Sequence, residues 1–132
     1  MKVLLDTDTT SYVFAHRSDR VRERFLAFAV GDVAISAITA AELLFGSALN
    51  PSERNRHAVA RAIESLRVAP FDLAASRAYG RIRATLQRRG TLIGSHDMLI
   101  AAHALSLDLP LVTNNVREFG RVPGLRVENW LA

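Results

Sequence analysis

The 132-residue sequence contains no cysteine and only one lysine, which limits the kinds of catalytic site that it can form. Without cysteine there is no disulfide framework and no thiolate site. The only lysine is Lys2, which leaves none for a catalytic role elsewhere in the chain. No apolar run approaches the roughly 18 residues of a membrane span. The apolar stretch after Lys2 is also too short for a signal peptide, so we expect a cytoplasmic protein.

Arginine supplies almost all of the positive charge, and the formal net charge is +4. Guanidinium groups bind phosphates in a bidentate manner and stack on bases, so this bias favours a nucleic-acid partner. A GC-rich genome would produce the same bias without such a partner. Composition alone therefore leaves both interpretations open.

Short apolar segments alternate with amphipathic ones along the chain. The predicted strands are residues 1–5, 33–36, 68–71, 109–113 and 126–128, and the predicted helices are residues 9–16, 39–48, 51–66, 72–89 and 95–107, with a further helix capped by Ser18 or Asp19. This alternation predicts a mainly parallel sheet with helices on both faces. We expect one domain, residues 1–132, of the α/β class with a small sheet of four to five short strands.

Three acidic residues lie in otherwise apolar surroundings, where a charge is costly. Asp6 follows the first strand, Glu42 lies within the third predicted helix, and Asp97 opens the helix 95–107. Each could have a purely local role. Asp6 could cap a helix, and Glu42 could pair with Thr39 in a capping box. Asp97 could be an acid of the first helical turn, where the helix dipole favours negative charge.

The three acids are more informative together, because all lie at strand ends or in first helical turns. Such positions gather at one edge of a parallel sheet. Gathered carboxylates repel one another and resist ionisation unless a cation offsets their charge. Mg²⁺ or Mn²⁺, which prefer oxygen ligands, are the expected ions. We therefore predict a metal-binding acidic centre at Asp6, Glu42 and Asp97.

Polar residues near these acids are candidates for supporting roles. Asp8 could add charge to the centre or cap the following helix. Thr113 could donate a hydrogen bond to a carboxylate or a metal-bound water, and Asn115 could ligate through its amide oxygen. Glu118 lies one turn further on and could instead point to solvent. An asparagine-rich turn without any site is the alternative.

The histidines do not suggest a shared metal site. His96 and His103 are seven residues apart on one predicted helix, or roughly 10 Å at about 1.5 Å per residue. That separation is too large for one ion. We predict that His103 is a core or supporting residue, and His96 is a candidate for the mouth of the site.

Four ordered blocks match a known family. They are Leu4-Leu5-Asp6-Thr7, then residues 36–46, 93–104 and 111–119, followed by Val122-Pro123-Gly124-Leu125 and Glu128-Asn129-Trp130. On these blocks the chain resembles the PIN-domain ribonucleases and, among them, the VapC toxins of bacterial toxin–antitoxin pairs. The resemblance implies a PIN-like fold with a central parallel sheet.

The resemblance also implies a site and partners. Asp6 and Asp97 would bind Mg²⁺, and Glu42 would belong to the same centre. The implied partners are an RNA substrate, more specifically tRNA cut in the anticodon stem-loop, a VapB-type antitoxin that blocks the site, and a second copy in a homodimer. Many members have Asn in place of Asp8 and a fourth acid where this chain has Asn115. A second metal site, if there is one, would then be weak or would use Glu118.

The expected reaction is hydrolysis of an RNA phosphodiester by metal-activated water, which Glu42 would position or deprotonate. The products would carry 5′-phosphate and 3′-hydroxyl ends. Arginines at the rim would bind flanking phosphates. The candidates are Arg77, Arg81, Arg88, Arg89 and Arg117, for which a solvated helix face is the alternative.

Two other functions fit part of the sequence. Asp6-Thr7-Asp8-Thr9-Thr10 matches the nucleophile motif of haloacid-dehalogenase-like phosphatases, and Ser36 resembles their second motif. The position of the only lysine, Lys2, and the absence of a later acidic pair argue against this family. A non-catalytic RNA-binding domain with a decayed acidic centre also remains open because of Asn115.

Overall fold

The computed structural model describes residues 1–132 and contains a five-stranded parallel sheet with seven helices. The strands are β1 Val3–Leu5, β2 Val33–Ser36, β3 Arg67–Ala69, β4 Leu111–Val112 and β5 Val127–Glu128. The helices are α1 Thr7–Phe14, α2 Asp19–Leu26, α3 Ala37–Leu49, α4 Glu53–Ser65, α5 Leu73–Arg88, α6 Ser95–Ser106 and α7 Val116–Phe119. None of these helices combines the length and apolar character needed to cross a membrane.

Helices cover both faces of the sheet. Along β1 the side chains of Val3 and Leu5 point to a core that also contains Val21 and Val59, from α2 and α4. Leu4 points to the opposite core, where α5 and α6 pack. Strands of an all-parallel sheet are buried on both faces, which explains why the strand sequences are continuously apolar. The prediction of a small parallel sheet between helical layers is confirmed.

The strand order is β3-β2-β1-β4-β5, so the chain builds outward from β1 in one direction and then in the other. The two halves of the sheet meet between β1 and β4, whose residues pair at Leu4 with Leu111 and Leu5 with Val112. In an open α/β sheet, a ligand crevice forms beyond the carboxyl ends of the strands at this reversal. Asp6 and Thr113 are the residues that follow these two strands.

Two local predictions are wrong, and both concern helix starts. Ser36, not Thr39, is the N-cap of α3, and its Oγ accepts the Ile38 N–H at 3.0 Å. The capping box between Thr39 and Glu42 therefore does not form. Pro51 lies before the N-cap Ser52 of α4 rather than inside its first turn.

Candidate metal centre

Asp6 lies at the sheet reversal and serves as the N-cap of α1. Its Oδ1 accepts the Thr9 N–H at 2.8 Å, and its Oδ2 accepts the Thr113 hydroxyl at 2.5 Å. The residue is 5% exposed. Burial raises the pKa of Asp6, while the hydrogen bonds from Thr113 and Thr9 oppose that rise. The local capping role is therefore real, yet the carboxylate also faces the crevice between β1 and β4.

Glu42 is held by two other elements. The Thr7 hydroxyl at the start of α1 donates to Oε1 of Glu42 at 2.7 Å. On the other side, Nδ1 of His96 in α6 lies 3.2 Å from Oε2. The hydroxyl oxygens of Thr7 and Thr39 are 3.2 Å apart, which extends the network into the buried first turn of α3. The half-buried carboxylate of Glu42 is thus fixed between α1 and α6.

Asp97 lies in the first turn of α6 and is half-buried. Burial, together with the carboxylates of Glu118, Asp6 and Glu42, raises the pKa of Asp97 to about 6. Each of these three carboxylates lies close enough to Asp97 to disfavour its charged form. The three acids predicted as the centre are therefore gathered in one region, together with Glu118.

Glu118 turns toward this region rather than toward solvent. The Gly94 N–H donates to its Oε1 at 2.8 Å, and the Asn115 side-chain amide donates to its Oε2 at 2.5 Å. Asn115 also caps α7 through its amide oxygen. A Cβ on Gly94 would stand 3.2 Å from Oδ2 of Asp97 and 3.6 Å from Oε1 of Glu118. A side chain at this position would therefore crowd the two carboxylates where they approach each other.

Asp8 lies at the rim and is exposed. Its Oδ2 accepts the Asn114 side-chain amide at 3.1 Å, and its Oδ1 is 3.6 Å from the Arg17 guanidinium. An arginine partner already offsets part of its charge. Asp8 thus differs from Asp6, Asp97 and Glu118, because it is exposed and Arg17 offsets part of its charge.

The inner acids lack such partners. The only ion pair of an acid with an arginine in this region is that of Asp8 with Arg17, and Glu42 contacts the imidazole of His96. Asp6, Asp97 and Glu118 pair with no cationic side chain. Closely spaced hard-oxygen donors with uncompensated charge fit a divalent cation. No three His, Asp or Glu side chains converge tightly enough to hold an ion without further ligands.

The two histidines have different surroundings. His103 is buried, its Nδ1 lies 2.7 Å from the Ser36 hydroxyl, and its ring packs edge-on against Phe71. Burial lowers the pKa of His103. It links α6 to the cap of α3, away from the acids. His96 lies at the mouth of the site beside Glu42, next to a groove of about 400 Å³.

The candidate arginines are all exposed but lie at different distances from the acids. α5 runs antiparallel to α6, because only the loop 90–94 connects them and Arg81 borders the same cavity as Leu105. Arg77 and Arg81 therefore lie toward the end of α6 that is opposite Asp97. Arg88, Arg89 and Arg117 lie toward the acids.

Sequence reasoning missed two residues that contact the acids, Thr7 and Gly94. Thr7 directly follows Asp6, but its partner Glu42 is 35 residues away. Gly94 precedes α6 without a capping side chain. A glycine at a helix start was the only available signal, and it does not reveal that two carboxylates approach it.

Comparison with known proteins identifies the family. A family model described as PIN domain matches residues 3–125. The chain is 42% identical to the tRNA(fMet)-specific endonuclease VapC of Salmonella typhimurium, with 98% of each chain covered. It is 39% identical to ribonuclease VapC2 of Haemophilus influenzae, with 99% of each covered. A crystal structure of DNA-bound VapBC from Salmonella typhimurium matches with a TM-score of 0.92 and 41% identity, over 98% of each chain. The chain therefore belongs to the PIN-domain family and, within it, to the VapC ribonucleases.

Proposed function

We propose that the protein is the toxin of a toxin–antitoxin pair and that it hydrolyses phosphodiester bonds in tRNA. The observation that carries this proposal is the cluster of mutually repelling carboxylates at the sheet reversal, where burial and three neighbouring acids raise the pKa of Asp97 to about 6. A relative of similar length is named a tRNA(fMet)-specific endonuclease, which supports tRNA as the substrate class.

Membership of the PIN-domain nucleases implies a divalent metal ion. In our proposal the ion is Mg²⁺, with Mn²⁺ as a substitute, and Asp6 and Asp97 are its protein ligands. Mg²⁺ is commonly held by one or two carboxylates and keeps several waters, which suits side chains that do not form a closed cage. When bound, the ion supplies charge neutralisation at the phosphate and activation of a water.

The remaining side chains of the site orient the attacking water or hold the acidic side chains in place. Glu42 orients the attacking water and takes up its proton, and Thr7 keeps that carboxylate in one orientation through the 2.7 Å hydrogen bond. Thr113 fixes Asp6 in the same way. Attack by water leaves 5′-phosphate and 3′-hydroxyl ends and does not use the ribose 2′-hydroxyl.

Two further acids have subordinate roles in this proposal. Glu118, held by Gly94 and Asn115, is the fourth acid and would serve a second metal ion. Asp8, paired with Arg17, sets the charge of the rim. Because Asp8 is exposed, it would lie beside the incoming RNA rather than beside the ion.

Arginines near the acids would bind phosphates that flank the cleaved bond. Arg88, Arg89 and Arg117 are exposed at that end of the molecule, and guanidinium groups bind phosphates in a bidentate manner. The remaining candidates, Arg77 and Arg81, lie further away and are considered below.

The proposal also includes partners. A VapB-type antitoxin would cover the acidic centre, and a second copy of the chain would complete a homodimer. Exposed apolar side chains on α3, namely Leu44, Phe45 and Leu49, support contact with another protein chain. Residues 1–132 would act as one domain in the cytoplasm. The last turn supports the one-domain assignment, because Trp130 is buried and stacks on Phe28.

Incubation of the purified protein with total tRNA tests this function. Wild-type protein should cleave with Mg²⁺ and not with EDTA, and Asp97→Asn should lose cleavage. Asp108→Asn is the matched control, because Asp108 is exposed just beyond the opposite end of α6. Its left-handed backbone, with φ of 54°, is one that asparagine adopts readily.

Other outcomes would favour the rival functions. Transfer of phosphate to Asp6 from a small phosphate ester would indicate a phosphatase. The structure offers that chemistry little help, because Lys2 pairs with Asp32 beyond the amino end of β1. Retention of tRNA without cleavage would indicate a non-catalytic RNA-binding domain.

A further inference from the structure

A long segment of the chain carries positive charge without any acid. Residues 73–96, which include all of α5 and the following loop, contain five arginines and no Asp or Glu. No other acid-free stretch of the sequence is as long. The positive charge on this part of the surface is therefore not offset by neighbours on the same element.

Three of these arginines form a row along one side of α5. At about 100° and 1.5 Å per residue, Arg77, Arg81 and Arg88 lie within roughly 40° of one another around the axis. Arg81 is roughly 6 Å along the axis from Arg77, and Arg88 is roughly 10 Å beyond Arg81. The buried residues Ala75 and Leu86 lie on the opposite side of the helix from the row.

The three side chains in the row are exposed and have no partner within the protein. None of them donates a side-chain hydrogen bond, forms an ion pair or stacks on an aromatic ring, unlike several arginines elsewhere. Arg83 on the same helix donates to the Tyr79 hydroxyl at 2.7 Å. Arg121 donates to the Leu92 carbonyl, and Arg126 pairs with Asp108. The row is thus free to bind an external ligand.

The row leads away from the acids. Arg88 is six residues from Gly94, which contacts Glu118, whereas Arg77 lies roughly 16 Å further along the helix axis. Arg77 and Arg81 therefore cannot reach a phosphate whose ester bond is being hydrolysed near Asp97. Any phosphates that they bind must belong to another part of the same RNA.

We propose that Arg77 and Arg81, which continue the row from Arg88, form a second RNA-binding site that holds backbone phosphates of a folded RNA outside the cleaved bond. The inference rests on the proposed ribonuclease function and extends it to substrate selection. An acidic protein is a weaker candidate, because the surface beside Arg88 carries Gly80, Ala84 and Gln87 rather than an apolar core. A row of separate guanidinium groups suits a row of phosphates.

The test compares two substrates and two pairs of substitutions. The substrates are a full-length tRNA and a short hairpin excised from it around the mapped cleavage site. The test variant is Arg77→Gln with Arg81→Gln. The control is Arg20→Gln with Arg24→Gln, which removes the same charge from exposed positions of α2 on the other face of the sheet.

The test variant should raise KM for the full-length tRNA about tenfold, change KM for the hairpin less than twofold, and leave kcat unchanged on both. The slope of log KM against log salt concentration should become shallower by about 2 for the tRNA, since roughly one counterion is released per phosphate contact. The control pair should leave KM for the tRNA and its salt dependence near the wild-type values. Circular dichroism of each variant verifies that it is folded.

Several results would overturn the inference. If the test variant changes KM equally for the tRNA and the hairpin, the row belongs to the cleavage site. If the test and control pairs change KM for the tRNA equally, the effect is one of net charge and not of a specific site. An unchanged tRNA KM would exclude RNA as the ligand. If wild-type protein cleaves neither RNA, the proposed function fails. Fluorescence anisotropy with labelled tRNA then still decides the inference, because only the test pair should weaken binding.

Discussion

Asp6 and Asp97 belong to one acidic cluster, yet the protein surrounds them in opposite ways. Asp6 is almost fully buried, and each of its oxygens accepts a hydrogen bond from Thr9 or Thr113. Asp97 is half-buried, and its nearest charged neighbours are other carboxylates, Glu118 first among them. Burial raises the pKa of both carboxyl groups, but hydrogen bonds oppose that rise at Asp6, whereas neighbouring carboxylates add to it at Asp97.

This difference separates structural from functional roles within one site. A carboxylate that accepts a helix N–H and a strand-end hydroxyl contributes to folding whether or not a ligand binds. A carboxylate repelled by its neighbours costs stability until a cation offsets the repulsion. Removal of either side chain should therefore damage the reaction, but only one removal should damage the fold.

The largest effect expected is on metal binding. Asp97→Asn should weaken Mg²⁺ binding roughly 100-fold, because it removes a proposed ligand and reduces the charge of the centre. Calorimetric titration with Mg²⁺ measures the affinity, and the Mg²⁺-dependent rise of Tm provides an independent estimate. Asp108→Asn should bind Mg²⁺ as wild type does. Equal affinities of Asp97→Asn and wild type would remove Asp97 from the ligand set.

The next effect concerns folding without metal. Asp6→Ala should lower the free energy of unfolding by about 2–3 kcal/mol, since it removes a helix cap and leaves the buried Thr113 hydroxyl without its acceptor. Asp97→Ala should not lower it, because the substitution relieves repulsion. Urea unfolding at pH 7.5 in EDTA measures both. A comparable loss in the two variants would show that the two acids have equivalent structural roles.

The order of strands and helices was enough to predict that the acids gather, and the reason is topological. In a parallel sheet every strand delivers its carboxyl end to the same edge, so Asp6 and Thr113 meet there although 107 residues separate them. Helices on both faces followed from the alternation of short apolar segments with amphipathic ones. These features depend on patterns that the sequence displays directly.

Contacts between distant side chains could not be predicted in the same way. The bond from Thr7 to Glu42 depends on how α1 and α3 pack, and no local pattern encodes that packing. The wrong capping box has a related cause. Ser36 and Thr39 are both acceptable caps, and only the direct junction of β2 with α3 selects Ser36. Likewise, Glu118 faces the acids because α7 docks beside Gly94.

A smaller effect is expected at Thr7, whose hydroxyl orients Glu42. Thr7→Val keeps the shape of the side chain but removes the donor, and should lower kcat on tRNA about tenfold with little change in KM. Thr7→Ser should restore most of kcat because it restores the hydroxyl. If Thr7→Ser is as slow as Thr7→Val, packing at this position matters and the hydrogen bond does not.

The smallest effect is the pH dependence that Asp97 gives to stability. Its pKa is raised to about 6 from 3.8, so the folded protein holds this proton more tightly than the unfolded chain does. The stability that the protonated Asp97 contributes is fully present below about pH 4 and is lost as pH rises through about 6. Asp97→Asn does not titrate, so its stability relative to wild type should increase by about 1 kcal/mol between pH 4 and pH 7.5, a value reduced for solvent screening at this half-buried site. Urea unfolding in EDTA at the two pH values measures this change, with Asp108→Asn as the control for the Asp-to-Asn exchange. If the free energies of unfolding of Asp97→Asn and wild type differ by the same amount at both pH values, neighbouring acids do not oppose the charge of Asp97. Asp97 and Asp6 would then differ only in how deeply they are buried.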